Sequence, residues 1–228
     1  MESLEQVARK YGRIARTYAL LTRTGMWPPG LRRRAVAALG LRAGDRVLDI
    51  GCGNGAALSL LRRAVGPEGI VIGVDYTPEM LARGRQYARK AKAALVRADA
   101  AALPLAGEFD AALFCLSYFV IPDSLSGLQQ VWQRLRPGGR VVIADGKIPC
   151  AADGHFPGCA VARMAGRTRF AGLLREKSLP ALFGWFASHG VQPHRQVWCN
   201  GVFFIVCGTK PGVRTNDAPS LPGYESMI

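Results

Sequence analysis

Apolar side chains recur at helical spacing over residues 4–21, as Leu4, Val7, Tyr11, Ile14, Tyr18 and Leu21. Arg9, Arg13 and Arg16 fall on the opposite side, so the pattern predicts an amphipathic helix with a basic outer face. Trp27-Pro28-Pro29-Gly30 breaks it, and a second helix is expected over about 30–39, before Gly40. Beyond that point short apolar runs exchange with helical periodicity. Strands are expected at 46–50, 70–75, 94–99, 109–116 and 139–145, and helices at 55–65, 78–91 and 124–135. The strand runs are continuously apolar rather than alternating, which is the mark of a parallel sheet covered on both faces by helices.

The end of the chain departs from this rhythm. Two strand-like runs, 191–199 and 202–207, flank Asn200-Gly201. Asn-Gly accepts the positive φ of a tight hairpin turn, so the sheet should close with an antiparallel pair. Seven strands are thus expected, five parallel and two in a reversed hairpin. Residues 148–187 read as an insertion ahead of the hairpin, and residues 211–228 as a polar, proline-rich flexible tail.

Composition narrows the class. Of 228 residues, 49% are hydrophobic and 20% charged, enough for one large core and too apolar for a disordered chain. No apolar run reaches the roughly 20 residues of a membrane span, and MESLEQVARK has no apolar signal core, so a cytoplasmic protein is expected. The six cysteines form no CxxC pair and read as reduced thiols. Thirty basic residues, 24 of them Arg, stand against sixteen acidic ones, for a formal charge of +14. Such an excess points to nucleic acid, an anionic membrane surface or an acidic substrate, or else to arginine dispersed over a solvated surface.

The chemistry concentrates in Val47-Leu-Asp-Ile-Gly-Cys-Gly-Asn-Gly55. A buried strand runs into a glycine loop, and Gly51 and Gly53 let backbone amides approach a ligand without interference from a Cβ. Asp75 closes the next strand, where a carboxylate can accept two ribose hydroxyls, and Asp99 closes the third, where one can meet an adenine amine. The glycines are spaced G-x-G-x-G, not the G-x-G-x-x-G that cradles a pyrophosphate. Asp49, just before the loop, would repel a pyrophosphate and suits an ammonium. The nucleoside is therefore expected to belong to S-adenosylmethionine. Each acid taken singly could instead cap a helix.

These motifs resemble the class I S-adenosylmethionine-dependent methyltransferases, over roughly residues 10–147. The resemblance implies a Rossmann-like α/β fold, S-adenosylmethionine as cofactor with S-adenosylhomocysteine as product, and no metal. Val47–Gly55 looks like the family's first motif, bringing Asp49, Gly51, Cys52 and Gly53 to the cofactor. GVDYTPEML would supply the ribose acid Asp75 with Tyr76 and Met80, and RADAAALP the adenine acid Asp99 with Ala100. Cys115 lies in the fourth motif; Cys52 and Cys115 are small buried fillers by residue type. LRPGGRVVIAD looks like the family's entry to its fifth strand. Lys10–Tyr18 is similar to the tyrosine-bearing N-terminal helix of quinone-pathway and phospholipid-headgroup methyltransferases, so Tyr11 and Tyr18 would close over the cofactor. Two aspartates of that pattern are Gly12 and Ala19 here. The expected layout is a helical lid at 1–40, a cofactor domain at 41–210 with an acceptor cap at 148–187, and the tail.

The acceptor is read from the ends of the fourth and fifth strands. Leu116, Ser117, Tyr118 and Phe119 would form an apolar wall with two hydroxyls, without the Asn/Asp-Pro-Pro-aromatic pattern that grips a planar amine. Tyr118 is the expected substrate contact and, with His155, a candidate catalytic group. Arg163, Arg167 and Arg169 could bind an anionic acceptor, or simply belong to a helical cover. The favoured acceptor is a phospholipid headgroup amine, with peripheral contact to an anionic membrane. A quinone-like, aromatic or other small natural product, methylated on oxygen or carbon, is the alternative. An RNA methyltransferase or a non-catalytic cofactor-binding module ranks below both.

Overall fold

The computed structural model describes residues 2–21, 30–146, 179–198 and 203–212, the side chains of the first stretch to residue 17. In chain order the elements are α1 (Leu4–Leu21), α2 (Leu31–Ala38), β1 (Arg46–Ile50), α3 (Leu58–Val65), β2 (Ile70–Asp75), α4 (Pro78–Ala91), β3 (Ala94–Arg97), a 3-10 turn (Ala100–Ala102), β4 (Phe109–Cys115), α5 (Ser124–Arg134), β5 (Leu135–Gly146), α6 (Leu179–Ser188), β6 (His194–Trp198) and β7 (Phe203–Thr209). The seven strands lie in the order β3-β2-β1-β4-β5-β7-β6. The first five are mutually parallel; β7 runs antiparallel between β5 and β6.

The two faces of the sheet bury separate apolar layers. Leu48, Ile50, Phe114 and Ile143 meet Leu128, Val131 and Trp132 of α5 and Leu182 and Phe186 of α6. Val47, Val71, Leu113 and Val142 meet α2, α3 and the Ala88–Ala91 end of α4. Every strand but β6 feeds both layers, because successive side chains point to opposite faces. That is why the runs read as continuously apolar.

Boundaries differ from expectation in physically legible ways. α3 begins at Leu58, not at residue 55, because Gly51, Gly53 and Gly55 all take positive φ (68°, 54° and 78°), which no right-handed helix continues. β3 ends at Arg97, so Asp99 lies two residues past the strand. β5 begins as early as Leu135, which pairs with Phe109; the register then slips at Gly138, whose φ is +75°. The reversed pairing of β6 and β7 is present, while Asn200-Gly201 lies outside the described residues, as do 213–228.

Part of the basic excess is internal. The Arg62 guanidinium donates to the carbonyls of Ala91, Gly66, Gly69 and Lys92 at 2.7–2.8 Å, tying the ends of α3 and α4 together. Arg134 donates to Leu103, Leu105 and Gln130, and the Lys210 ammonium to Trp132 and Leu135. These cations satisfy carbonyls that chain ends and loops would leave without donors. Among the described residues Cys52, Cys115 and Cys207 are free thiols, and no helix is long and apolar enough to cross a membrane.

Candidate functional site

The loops after β1, β2, β3 and β4 leave the same edge of the sheet and surround a cavity of about 680 Å³, open mouth included. Gly51, Gly53, Asp75, Tyr76, Thr77, Met80, Asp99 and Ala100 line one part of it. Leu4, Val7, Ala8 and Tyr11 of α1 line another, with Leu116, Ser117, Val120, Ile121 and Pro122. Polar and acidic groups thus occupy the strand ends, while the helix and the chain after β4 contribute mainly apolar surface.

Asp75 is fixed by its own backbone surroundings. One carboxylate oxygen accepts the Gly53 N–H and the other the Thr77 N–H, both at 2.8 Å. Burial pushes the carboxyl up, and those N–H groups pull it back down. The Tyr76 N–H and the Thr77 side chain also hydrogen-bond to this carboxyl. Asp99 accepts the Ala101 N–H at 2.9 Å and so caps the 3-10 turn. It is therefore both the cap that residue type suggests and a cavity-lining acid. Tyr76 carries the Arg97 guanidinium 5.4 Å from its ring centroid.

The glycines differ in what they make room for. A Cβ on Gly51 would sit 2.5 Å from the Ser117 Cβ, so this glycine lets the β1 loop and the β4 loop touch. A Cβ on Gly53 would meet nothing within 4 Å, although Gly53 lines the cavity. The space beside its backbone is left open to a ligand. Asp75 and Asp99 line the same cavity beside that space.

Four of the expected site residues stand apart from the cavity. Asp49 is buried to 2% on the α2 face of the sheet, close to Arg32, and its Oδ2 has no hydrogen-bond partner. Burial raises its carboxyl to about 7, with Arg32 opposing that rise. The Cys52 thiol is buried against β2, 2.9 Å from where a Cβ on Gly73 would lie. Cys115 is half-buried at the end of β4, and desolvation of its thiol pushes it up to about 12. Tyr118 turns into the core: its ring packs edge-on against Phe114 and Phe119, and burial lifts its phenol to about 12. Of the expected wall, Leu116 and Ser117 face the cavity and Tyr118 and Phe119 do not. The turn after β4 explains the difference. Leu116 takes a φ of +59°, and Ser117 O accepts from Val120 and Ile121, so the chain curls and presents 120–122 instead. A strand-like alternation through 118 and 119 carries no sign of that curl.

α1 forms as expected, and Tyr11 reaches the cavity. The Tyr18 side chain, His155, Arg163, Arg167 and Arg169 lie outside the described residues. The departure at Gly12 has a cause: a Cβ there would come 2.8 Å from the Glu79 carboxylate of α4. An aspartate at that position would face a like charge. Among the described residues no group of three or more His, Cys, Asp or Glu side chains could hold a metal ion.

Residues 47–139 match the family described as "Methyltransferase domain". Demethylmenaquinone methyltransferases from several Staphylococcus aureus strains are 33% identical over 153 residues, 64% of this chain. The match spans 62% of the length of those relatives. Solved structures share the fold at lower identity. A SAM-dependent methyltransferase from Aquifex aeolicus superposes with a TM-score of 0.60 at 20% identity, covering 81% of this chain and 94% of its own. One from Thermotoga maritima gives 0.65 at 18%, covering 90% and 99%. A [4+2]-cyclase gives 0.61 at 17%, covering 92% and 97%. Motifs, sheet order, cavity and the match over residues 47–139 agree in making this chain similar to the class I S-adenosylmethionine-dependent methyltransferases, the quinone-biosynthesis group among them.

Proposed function

We propose that the protein transfers a methyl group from S-adenosylmethionine to an oxygen or carbon of a reduced, quinone-like ring. The observation that carries this reading is the two-part cavity. Acids and glycines sit at the strand ends, and an apolar pocket formed by α1 and residues 116–122 adjoins them. Among the described residues no Lys, Arg or His lines it. A phosphodiester headgroup would call for such a cation, so the described lining favours a ring over a phospholipid amine. The name of the Staphylococcus aureus relatives points the same way.

The cofactor, when bound, supplies an electrophilic sulfonium methyl. In this reading Asp75 accepts the ribose hydroxyls, Asp99 faces the base, and the open space beside Gly53 admits the ligand backbone. Leu116, Val120 and Ile121 hold the ring flat and exclude water, while α1 acts as a lid through Tyr11. The acceptor oxygen or carbon would bond to the methyl carbon as the sulfur–methyl bond breaks, and its proton would pass to solvent. Orientation of two reactive partners is the main contribution such a site must make. Tyr118, buried and with a raised phenol, is not assigned the proton.

The test is methyl transfer from labelled donor to three probes: a short-chain demethylated naphthoquinol, phosphatidylethanolamine vesicles, and total RNA. Label in the naphthoquinol supports the reading. Label in the phospholipid or in RNA, with none in the ring compound, overturns it.

A further inference from the structure

The segment that forms the apolar wall, residues 116–122, has unusual backbone geometry for its composition. Leu116 is one of two non-glycine residues of positive φ among the described residues, at +59°, and it lines the cavity. Left-handed backbone at a γ-branched residue is strained and persists only where its surroundings impose it. Three sets of contacts do so. The Leu116 N–H donates to Ala144 O at 2.7 Å. The Ser117 hydroxyl donates to Ile50 O at 2.6 Å. The third holder is Asp145, at the end of β5 and only 3% exposed.

One Asp145 oxygen accepts the Phe119 N–H at 3.2 Å and the other its neighbour's, Gly146, at 2.8 Å. The backbone N–H groups of Ser117 and Tyr118 also point to this carboxylate. Ser117 O in turn accepts from the N–H groups of Val120 and Ile121, closing one helical turn. Asp145 thus does for this turn what a capping residue does for a helix, from a different strand. It touches no part of the cavity itself.

We propose that Asp145 is a positioning residue: its carboxylate gathers the N–H groups of residues 117–119 and so sets the wall against which the acceptor is held. The inference rests on the methyl-transfer reading for its kinetic consequence, but its structural part stands independently. The cofactor half of the site, with Asp75, Gly53 and Asp99, is anchored by other bonds. Loss of Asp145 therefore disturbs acceptor placement and spares cofactor affinity.

The experiment uses the full chain with Asp145→Asn and Asp145→Ala. S-adenosylhomocysteine affinity is measured by calorimetry, amide hydrogen exchange over 117–121, and turnover with the short-chain demethylated naphthoquinol. Expected for Asp145→Ala are a cofactor Kd within about threefold of the parent, faster exchange confined to 117–121, and a kcat lower by about tenfold or more, since small displacements of a reacting partner are costly. Asp145→Asn, which keeps one acceptor oxygen, should fall between. Unchanged exchange over 117–121 overturns the proposal. So does a parallel fall of cofactor affinity and turnover, which marks a merely structural role. If the parent protein fails to methylate the naphthoquinol, the function reading fails, and exchange with cofactor affinity still decides the role of Asp145.

Discussion

The Gly53 N–H donates to the Asp75 carboxylate at 2.8 Å, across twenty-two residues of chain. The bond joins the loop after β1 to the end of β2, and it makes Asp75 a structural part of the loop as well as a lining group of the cavity. Asp75→Ala therefore removes both a cavity-lining carboxylate and the anchor of the loop. S-adenosylhomocysteine affinity should fall by about tenfold or more, as lost charge-assisted hydrogen bonds require. Calorimetry on the variant checks it; unchanged affinity would remove the nucleoside from this position.

Gly51 and Gly53 should respond differently to the same substitution. Alanine at either costs about 1–2 kcal/mol for left-handed backbone. At Gly51 the new methyl also strikes Ser117, adding overpacking of roughly 1–3 kcal/mol. Gly51→Ala should lower the denaturation midpoint more than Gly53→Ala does. Gly53→Ala, whose methyl enters open space lining the cavity, should weaken cofactor binding beyond its small effect on stability. Urea titration with parallel binding isotherms separates the two.

Helix α1 rests on α4 where Gly12 meets Glu79. Gly12→Asp places a second carboxylate against the first, and α1 should be displaced. The expected outcome is faster proteolysis within residues 2–21 and loss of turnover, with little change in the melting of the sheet. Combining it with Glu79→Gln relieves the charge clash and should restore part of the protection. If Gly12→Asp alone leaves both readouts unchanged, this packing does not hold the helix.

Buried carboxyls contribute to the pH response, Asp49 and Asp145 with Asp75 shifted in the same direction. Burial raises Asp49 to about 7 and Asp145 to about 6, from 3.8 for an ordinary aspartate. Between the unfolded and folded values the native chain binds more protons than the unfolded one, so stability falls as pH rises. The decline should begin near pH 4 and level off above about pH 7. Asp49→Asn should flatten the upper part of that slope. Thermal melts from pH 5 to pH 8 in parent and variant give the answer, and a parent whose stability rises across that range would contradict these burials.

Most of the sheet was legible because its signals are local. Apolar runs of strand length, Pro78 at the head of α4 and Gly40 after α2 each state their element within a few residues. The glycine loop, Asp75 and Asp99 were legible for the same reason, since strand ends in a parallel sheet converge at one edge. What escaped depends on contacts distant in sequence. The inward turn of Tyr118 follows from Asp145, 27 residues later, drawing in the backbone at 117–119. The burial of Asp49 behind the sheet depends on where α2 brings Arg32. The preference for a ring over a headgroup amine needed the assembled list of cavity-lining residues, because Val120, Ile121 and Pro122 look like an ordinary loop until Leu116 bends the chain toward the site.

The antiparallel β7 has a further consequence. Gly146, where β5 ends, pairs with Phe203, where β7 begins, and Phe203 also pairs with Trp198, the last residue of β6. Three strand ends therefore converge at the rim that carries the cavity. A wholly parallel sheet would send its last turn to the opposite rim. The reversal thus leaves one rim of the sheet bearing both the loops after β1 to β4 and the junction of β5, β6 and β7.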